Sequence, residues 1–532
     1  MAAKAVKAGS GKAPGGYNPW LVAVVVALAT FMEILDTTIA NVALRYISGG
    51  LAVGPDEAAW VVTVYLVANA VTLTASSFIA RRYGRKLFFM TSIAVFTLAS
   101  VLCGFAGNLE TLLVFRVLQG LGGGGMAPLA QSILADSFPP EKRGPAFALY
   151  GIAIVFAPAI GPTLGGWLSD NFSWHWCFLI NGPIGIFALA VMHVILHDPP
   201  SAVAERRRLK REGIRFDAVG FLLVATFLGS LEVCLDEGQR KDWFGSNLIV
   251  VFGALTAVSF VAMIPWLLTR KNPVVDLSLF KSRQFTACFF IMMATGAILY
   301  ATTGNIPQLV QDQYGYTATL GGLVLGPAGL VTIVITVING RLSGLIQPRF
   351  LIVFGALMMA GGLYDFTRLD NTSTFWFFAD ARILIGIGIP MMFMSVTTAS
   401  YEGLDTSQTD QASAVINVAR NTGGSMGVSL AANLLAYRGQ FHQSRLVESI
   451  DTTAPAYQDA LSKATRYFSE HGYAGPDAQN QAVAWIGSQV SVQVTYWAYI
   501  DVFWALCIVA MAAVPLALLL KNVKLGGAAA AH

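Results

Sequence analysis

Apolar runs of about twenty residues recur along most of this chain, and that repetition decides its solvent. A helix needs about 20 apolar residues to cross a bilayer core, where only helices and closed barrels satisfy their own backbone groups. Fourteen such runs lie near 19–43, 58–80, 87–107, 110–134, 145–168, 176–196, 217–236, 247–268, 285–310, 319–340, 350–366, 375–399, 411–435 and 494–520. Glycine, proline and polar residues interrupt the tenth to thirteenth most heavily. The composition agrees: 55% of the 532 residues are hydrophobic and only 12% are charged, about half the charged share of a soluble protein. The expected fold class is an all-α polytopic membrane protein.

Charge placement then orients the helices. Cytoplasmic loops of membrane proteins carry excess lysine and arginine. With a cytoplasmic N-terminus, the inner segments hold Lys4, Lys7 and Lys12, the Arg81–Lys86 turn, Lys142 and Arg143, and the six basic residues from Arg206 to Arg215. They continue with Arg270, Lys271, Lys281 and Arg283, with Arg341 and Arg349, and with Lys521 and Lys524. Those are 23 basic residues, against Arg45, Arg240, Lys241 and Arg368 on the outer side. An even helix number with both termini cytoplasmic fits. The first run is too long for a signal-peptide core and carries acids in place of a cleavage site, so it reads as an uncleaved first helix.

Several function classes drop out. A net charge of +4, with basic residues gathered at segment ends, argues against nucleic-acid binding. The five cysteines all fall in apolar segments without a CxxC, which implies neither disulfides nor a metal site. The six histidines show no HExxH spacing. The glycine run Gly122–Gly125 lacks the lysine of a phosphate loop, so ATP is not the expected energy source. No nucleophile–base pair suggests an enzyme, and no cofactor is expected. A channel would need a continuous polar lining, whereas the intramembrane charges here are few and isolated.

Those few charges are the informative residues. Glu33 and Asp36 sit three residues apart in FMEILDTTIANVAL (31–44), on one side of a helix. Acids inside a bilayer are costly and usually functional. Reach to water at a helix end is the bland alternative. In the fourth run, Arg116 needs an acid or several carbonyls as partners, with Asp36 the obvious candidate, and Gln119 follows on the same side of the helix. In the fifth run, Pro158 and Pro162 each remove a backbone donor, while Gly161 and Gly165, with Gly166 beside them, permit close helix packing. Such a helix reads as a pliable seam.

These segments resemble the major facilitator superfamily, and in particular its fourteen-helix drug:proton antiporter branch. LDTTIANVAL (35–44) is similar to that branch's first-helix signature, Arg116 to Gly120 to a fourth-helix motif linked to proton transfer, and APAIGPTLGGWL (157–168) to the fifth-helix exporter motif. Further matches run through Trp174–Pro183, 235–246, 272–286 and 306–323, the last two most like EmrB-type permeases of tripartite multidrug pumps. In the turn after the second helix, Ser77 and Arg81 stand where that family usually has glycine and aspartate, which puts gating through that aspartate in doubt.

The resemblance implies a proton-coupled exporter of lipophilic or cationic drugs in the bacterial inner membrane, with H+ as coupling ion. A periplasmic adaptor (membrane fusion protein) and an outer-membrane channel are the implied partners. It implies a six-helix lobe over 19–197, a basic linker over 198–216, two inserted helices over 217–268 and a second six-helix lobe over 269–520. Cytoplasmic tails would cover 1–18 and 521–532, and a periplasmic loop 436–492, with an amphipathic helix at 456–471 and Asp477 capping the run into the last helix. Asp36, Arg116 and Glu33 would handle the proton, by direct competition between proton and drug at Asp36. Asn41, Gln119, Asn305, Gln308, Gln311 and Tyr300 are candidate substrate contacts, though Asn305, Gln308 and Gln311 could equally stitch helices together. Arg382 and Arg420 are further intramembrane charges, Arg420 read as structural. The rival reading is a proton-driven exporter of one metabolite or siderophore, acting alone.

Overall fold

The computed structural model describes residues 18–138, 140–198, 200–211, 216–270, 273–343, 345–402, 404 and 408–522. Of the basic residues that set the orientation, Lys4, Lys7, Lys12, Arg215, Lys271 and Lys524 lie outside these. Every regular element among the described residues is helical.

Among the described residues, fourteen helices have spanning length. The first six are α1 (Pro19–Leu51), α2 (Pro55–Tyr83), α3 (Arg85–Cys103), α4 (Leu109–Ser137), α5 (Pro140–Asn171) and α6 (Trp176–Ile195). Two more follow the linker, α7 (Ala218–Glu237) and α8 (Asn247–Thr269). The last six are α9 (Arg283–Tyr314), α10 (Thr319–Leu342), α11 (Pro348–Phe366), α12 (Phe375–Ser400), α13 (Thr409–Ser449) and α14 (Pro476–Leu518). Twelve are long and apolar enough to cross a bilayer by composition alone, and α5 joins them as a span bent by 44°. The polar side chains of α13 lower its hydropathy, yet it packs along α9, α14 and α2 inside the bundle.

Local sequence explains where the helices begin and turn. The Asn18 side chain accepts from the Trp20 amide at 3.0 Å, and Pro19 occupies the first helical position, where its missing N–H costs nothing. Asn108 caps α4 through the Thr111 amide at 2.9 Å. Gly84, at φ +106°, makes the tight reversal between α2 and α3 in a conformation that side chains disfavour.

Helices α1–α6 form one lobe and α9–α14 the other. The lobes meet along two seams, α5 against α10 and α2 against α13. Inserted α7 packs on both α2 and α13 at the second seam, and α8 packs on α7 with most of its surface outward.

Across 436–492 the amphipathic helix forms, at Pro455–Glu470, and the last helix starts at Pro476, both as the sequence indicates; what changes is that α13 runs on to Ser449. A polar helix that leaves the bundle has no apolar stripe to announce it. Gly475 occupies the N-cap of α14, and Asp477 sits in its first turn. The linker also gains structure, a helix at Pro200–Arg211 packed on α2.

The turn with Arg81 is held by other means than an aspartate of its own. Arg85 pairs with Asp136 of α4. The Lys86 amide donates to Asp198 at 2.9 Å, and Arg206 of the linker bonds the Tyr83 carbonyl at 3.1 Å.

Candidate functional site

Both acids of α1 are buried near the middle of the helix, which removes the helix-end alternative. Their surroundings differ. Asp36 is sealed inside the first lobe, and its Oδ2 accepts from Arg116 Nη1 at 2.6 Å, with both side chains fully buried. Its Oδ1 accepts from Gln119 Nε2 at 2.8 Å and from Asn181 Nδ2 at 2.7 Å. Arg116 donates further to the Val61 carbonyl at 2.9 Å and to Gln119 Oε1 at 2.9 Å. Asn181 also donates to Ser100 Oγ at 3.0 Å. A buried ion pair endures when hydrogen bonds occupy its remaining lone pairs and protons, and helices α1, α2, α3, α4 and α6 all contribute here. Asn181 carries no advance sign of this role, because an asparagine opening an apolar run is locally unremarkable. It falls, however, inside the Trp174–Pro183 family match.

Helix α4 reaches this position because its glycines let neighbours approach. A Cβ on Gly122 would lie 2.5 Å from the Phe96 amide nitrogen, and one on Gly124 would lie 2.2 Å from the Asn69 carbonyl. Helix α5 is seated on α1 in the same way. A Cβ on Gly161 would meet Thr38 Oγ1 at 2.1 Å, and one on Gly165 would touch Ile39 at 3.3 Å. Pro158, Pro162 and Gly166 are buried beside them, and α5 bends between Pro158 and Ile160.

Glu33 faces a cavity of about 120 Å³ between the lobes. The cavity is lined by Asn41 of α1, Tyr65 and Asn69 of α2, Glu232 and Asp236 of α7, Tyr300 of α9, and Arg420 and Ser425 of α13, among others. Asn69 donates to Glu33 Oε1 at 3.2 Å, while Oε2 has no hydrogen-bond partner among the described residues. Tyr65 joins the two environments: the Arg116 guanidinium lies 4.3 Å from its ring centroid, and the same residue lines the cavity.

The structure therefore brings Glu33, Asn41 and Tyr300 to one cavity and adds Arg420, which sequence reasoning had read as structural. Gln119 belongs to the Asp36 network instead. Asn305 and Gln311 donate back to their own helix, to Ala301 and Pro307, and Gln308 is exposed; none of the three lines this cavity. Arg382 is buried against Thr302 and Thr303, at 2.5 and 3.1 Å.

The lobes are bridged to each other near both ends of the bundle. At the end holding the Arg81–Lys86 turn, Gln131 of α4 accepts from Tyr401 at 3.0 Å, from Ser413 at 2.7 Å and from Asn417 at 3.3 Å. At the other end, Thr319 donates to Asp170 at 3.1 Å. Sites for drug-sized ligands span about 300–1,000 Å³, so this cavity must widen to admit one.

Two helical lobes around a central cavity, with a buried charge network in one lobe, define a polytopic membrane carrier. The sequence profile of the Major Facilitator Superfamily matches residues 26–428, and the chain belongs to that family. It is 35% identical over 490 residues to the multidrug export protein EmrB of Escherichia coli (strain K12), covering 91% of this chain and 92% of that protein. It is 36% identical over 452 residues to the fatty acid resistance protein FarB of Neisseria gonorrhoeae, covering 84% and 86%. Among solved structures, a bacterial homolog of the human lysosomal transporter Spinster, inward-facing and unoccupied, superposes with a TM-score of 0.54. At 15% identity, covering 94% of this chain and 97% of that one, it shares the fold.

Proposed function

We propose that this chain is a proton-coupled exporter of lipophilic and cationic small molecules, with Asp36 as the coupling acid. The carrying observation is the sealed Asp36–Arg116–Gln119–Asn181 network, built on the helix that also presents Glu33 to the cavity. The similarity to multidrug exporters supports the substrate class.

The geometry changes how proton and drug would compete. Asp36 does not line the cavity, so a drug does not replace Arg116 at its carboxylate. The drug meets Glu33, and the proton meets Asp36. Ionised Asp36 holds Arg116 and keeps α1 against α4. Protonation removes the charge that Arg116 attracts, leaving a weaker contact between the guanidinium and a neutral carboxyl. Helix α1 then shifts on its glycine-lined contact with α5, and Tyr65 carries the movement to the cavity wall. Opening at one end requires the Gln131 bridges to part, and opening at the other requires the Asp170–Thr319 bridge to part. Asp36→Asn keeps the size of the side chain and loses the titration. In energised vesicles it is expected to abolish uphill ethidium export; concentrative export with the proton flux intact would refute the assignment.

The inner-membrane setting and the tripartite partnership belong to the same proposal. At about 1.5 Å per residue, the 41 residues of α13 and the 43 of α14 far exceed a core of about 30 Å. Both project at the end away from the Arg81–Lys86 turn, where Tyr437, Tyr467 and Trp485 are exposed. This projection suits a periplasmic adaptor that leads to an outer-membrane channel. Deleting 456–473 is expected to abolish co-purification of the adaptor, and unchanged co-purification with unchanged export would overturn the docking assignment.

A further inference from the structure

Inserted helix α7 reaches the central cavity with two acids, Glu232 and Asp236. Each is tied to a different lobe. Glu232 Oε1 accepts from Ser425 Oγ of α13 at 2.5 Å, and Asp236 accepts from Thr63 of α2. Farther along, Trp243 Nε1 donates to Asn433 of α13 at 2.6 Å. The insert therefore closes the α2–α13 seam and contributes charge to the cavity wall.

Those charges are unevenly answered. Asp236 has Arg240 within electrostatic reach, and Arg240 itself pairs with Glu237 at 3.1 Å. Glu232 is 93% buried, and its partner among the described residues is a hydroxyl, with no cation against it. Glu33 is 94% buried, lines the same cavity with Arg420 within electrostatic reach, and leaves Oε2 without a hydrogen-bond partner among the described residues. Tyr300 lines the same cavity and lies within electrostatic reach of both Glu33 and Glu232. Arg420 is the single guanidinium among the lining residues, set against three carboxylates. A carboxylate offers about four acceptor positions, and Ser425 fills one of those on Glu232. Buried charge without a counter-charge is expensive, which gives a cationic guest a reason to sit there.

We infer that Glu232 of the inserted helix binds positive charge on the substrate, and that with Glu33 it forms a two-carboxylate site suited to dications. On this account the insert is a wall of the drug site, and rocking of the lobes must exchange its hydrogen bond to α13 or to α2 for others. The inference rests on the cavity being the drug site. It needs no proton gradient, so its failure is separable from failure of Asp36 as coupling acid.

The test is equilibrium binding to the purified full-length protein in detergent. Three probes are used: dequalinium (a dication), tetraphenylphosphonium (a monocation) and N-phenyl-1-naphthylamine (neutral). Glu232→Gln still accepts from Ser425 through its amide oxygen, so the seam is retained. It is expected to weaken dequalinium about ten-fold, tetraphenylphosphonium by less, and the neutral probe not at all. Glu232→Asp is expected to recover part of the loss. Unchanged dequalinium affinity, or equal weakening of all three probes, overturns the inference. Ser425→Ala keeps the carboxylate and removes its hydroxyl partner, so dequalinium is expected to bind at least as tightly. Weaker dequalinium binding in that variant contradicts the proposal.

Discussion

Asp36 and Glu33 lie one turn apart on the same helix, yet they meet opposite treatment. Asp36 is enclosed by an arginine, a glutamine and an asparagine, with both oxygens occupied. Glu33 has one amide donor and an oxygen left over, and it lines the cavity between lobes, with Arg420 only within electrostatic reach. A three-residue step rotates a side chain by about 60° short of a full turn, and here that separates an acid buried in one lobe from an acid offered to a guest. The difference suggests a division of labour: one acid tuned by fixed partners for a proton, the other left for a ligand.

The largest expected effect breaks the enclosed member. Arg116→Ala leaves Asp36 buried without its counter-charge, which costs about 3–5 kcal/mol for pairs of this kind. A marked fall in the thermal midpoint of the purified protein is expected, and adding Asp36→Asn to it should restore most of the loss without restoring drug-driven proton flux. A double variant as unstable as Arg116→Ala would mean that the arginine serves other partners, such as the Val61 carbonyl, more than Asp36.

A smaller change sharpens the open member. Glu33→Gln keeps the Asn69 hydrogen bond and removes a charge from the cavity. Tetraphenylphosphonium binding should weaken about ten-fold, or about 1.4 kcal/mol, while the thermal midpoint moves little. If the midpoint falls as far as in Arg116→Ala, the two acids are not different in kind.

The smallest effect lies outside the pair. Gln131→Ala removes three hydrogen bonds between lobes, each worth about 1 kcal/mol. Spin labels across the α4–α13 contact should report a larger fraction of the open arrangement at that end. Unchanged distances would mean that packing, not Gln131, closes it.

Much of this was legible in the sequence, and the failures have physical causes. Fourteen spans could be counted because lipid demands long apolar helices, and α13 was still found despite its polar residues. The Asp36–Arg116 pairing was legible because a buried arginine needs an acid and few acids were available. Asn181 was not, since an asparagine's partner depends on how α6 packs across α1. Glu232 drew no attention in the sequence, where it stands close to the polar Asp236–Lys241 stretch. Only the packing of α7 between α2 and α13 turns it inward. The projecting end of α13 read as a loop because a helix beside water needs no apolar periodicity of its own, whereas the start of α14 was marked by the turn at Pro476. Glu33 shows the limit most sharply: shared spacing on a helix did not predict a shared environment.

The most direct measurement compares the two acids side by side, as proton movement coupled to ethidium transport in proteoliposomes holding Asp36→Asn or Glu33→Gln protein. The account predicts no drug-linked proton flux in the Asp36 variant. In the Glu33 variant, flux per ethidium moved should equal that of the unaltered protein, reached at higher ethidium concentration. Coupled flux that survives in Asp36→Asn and vanishes in Glu33→Gln would contradict it.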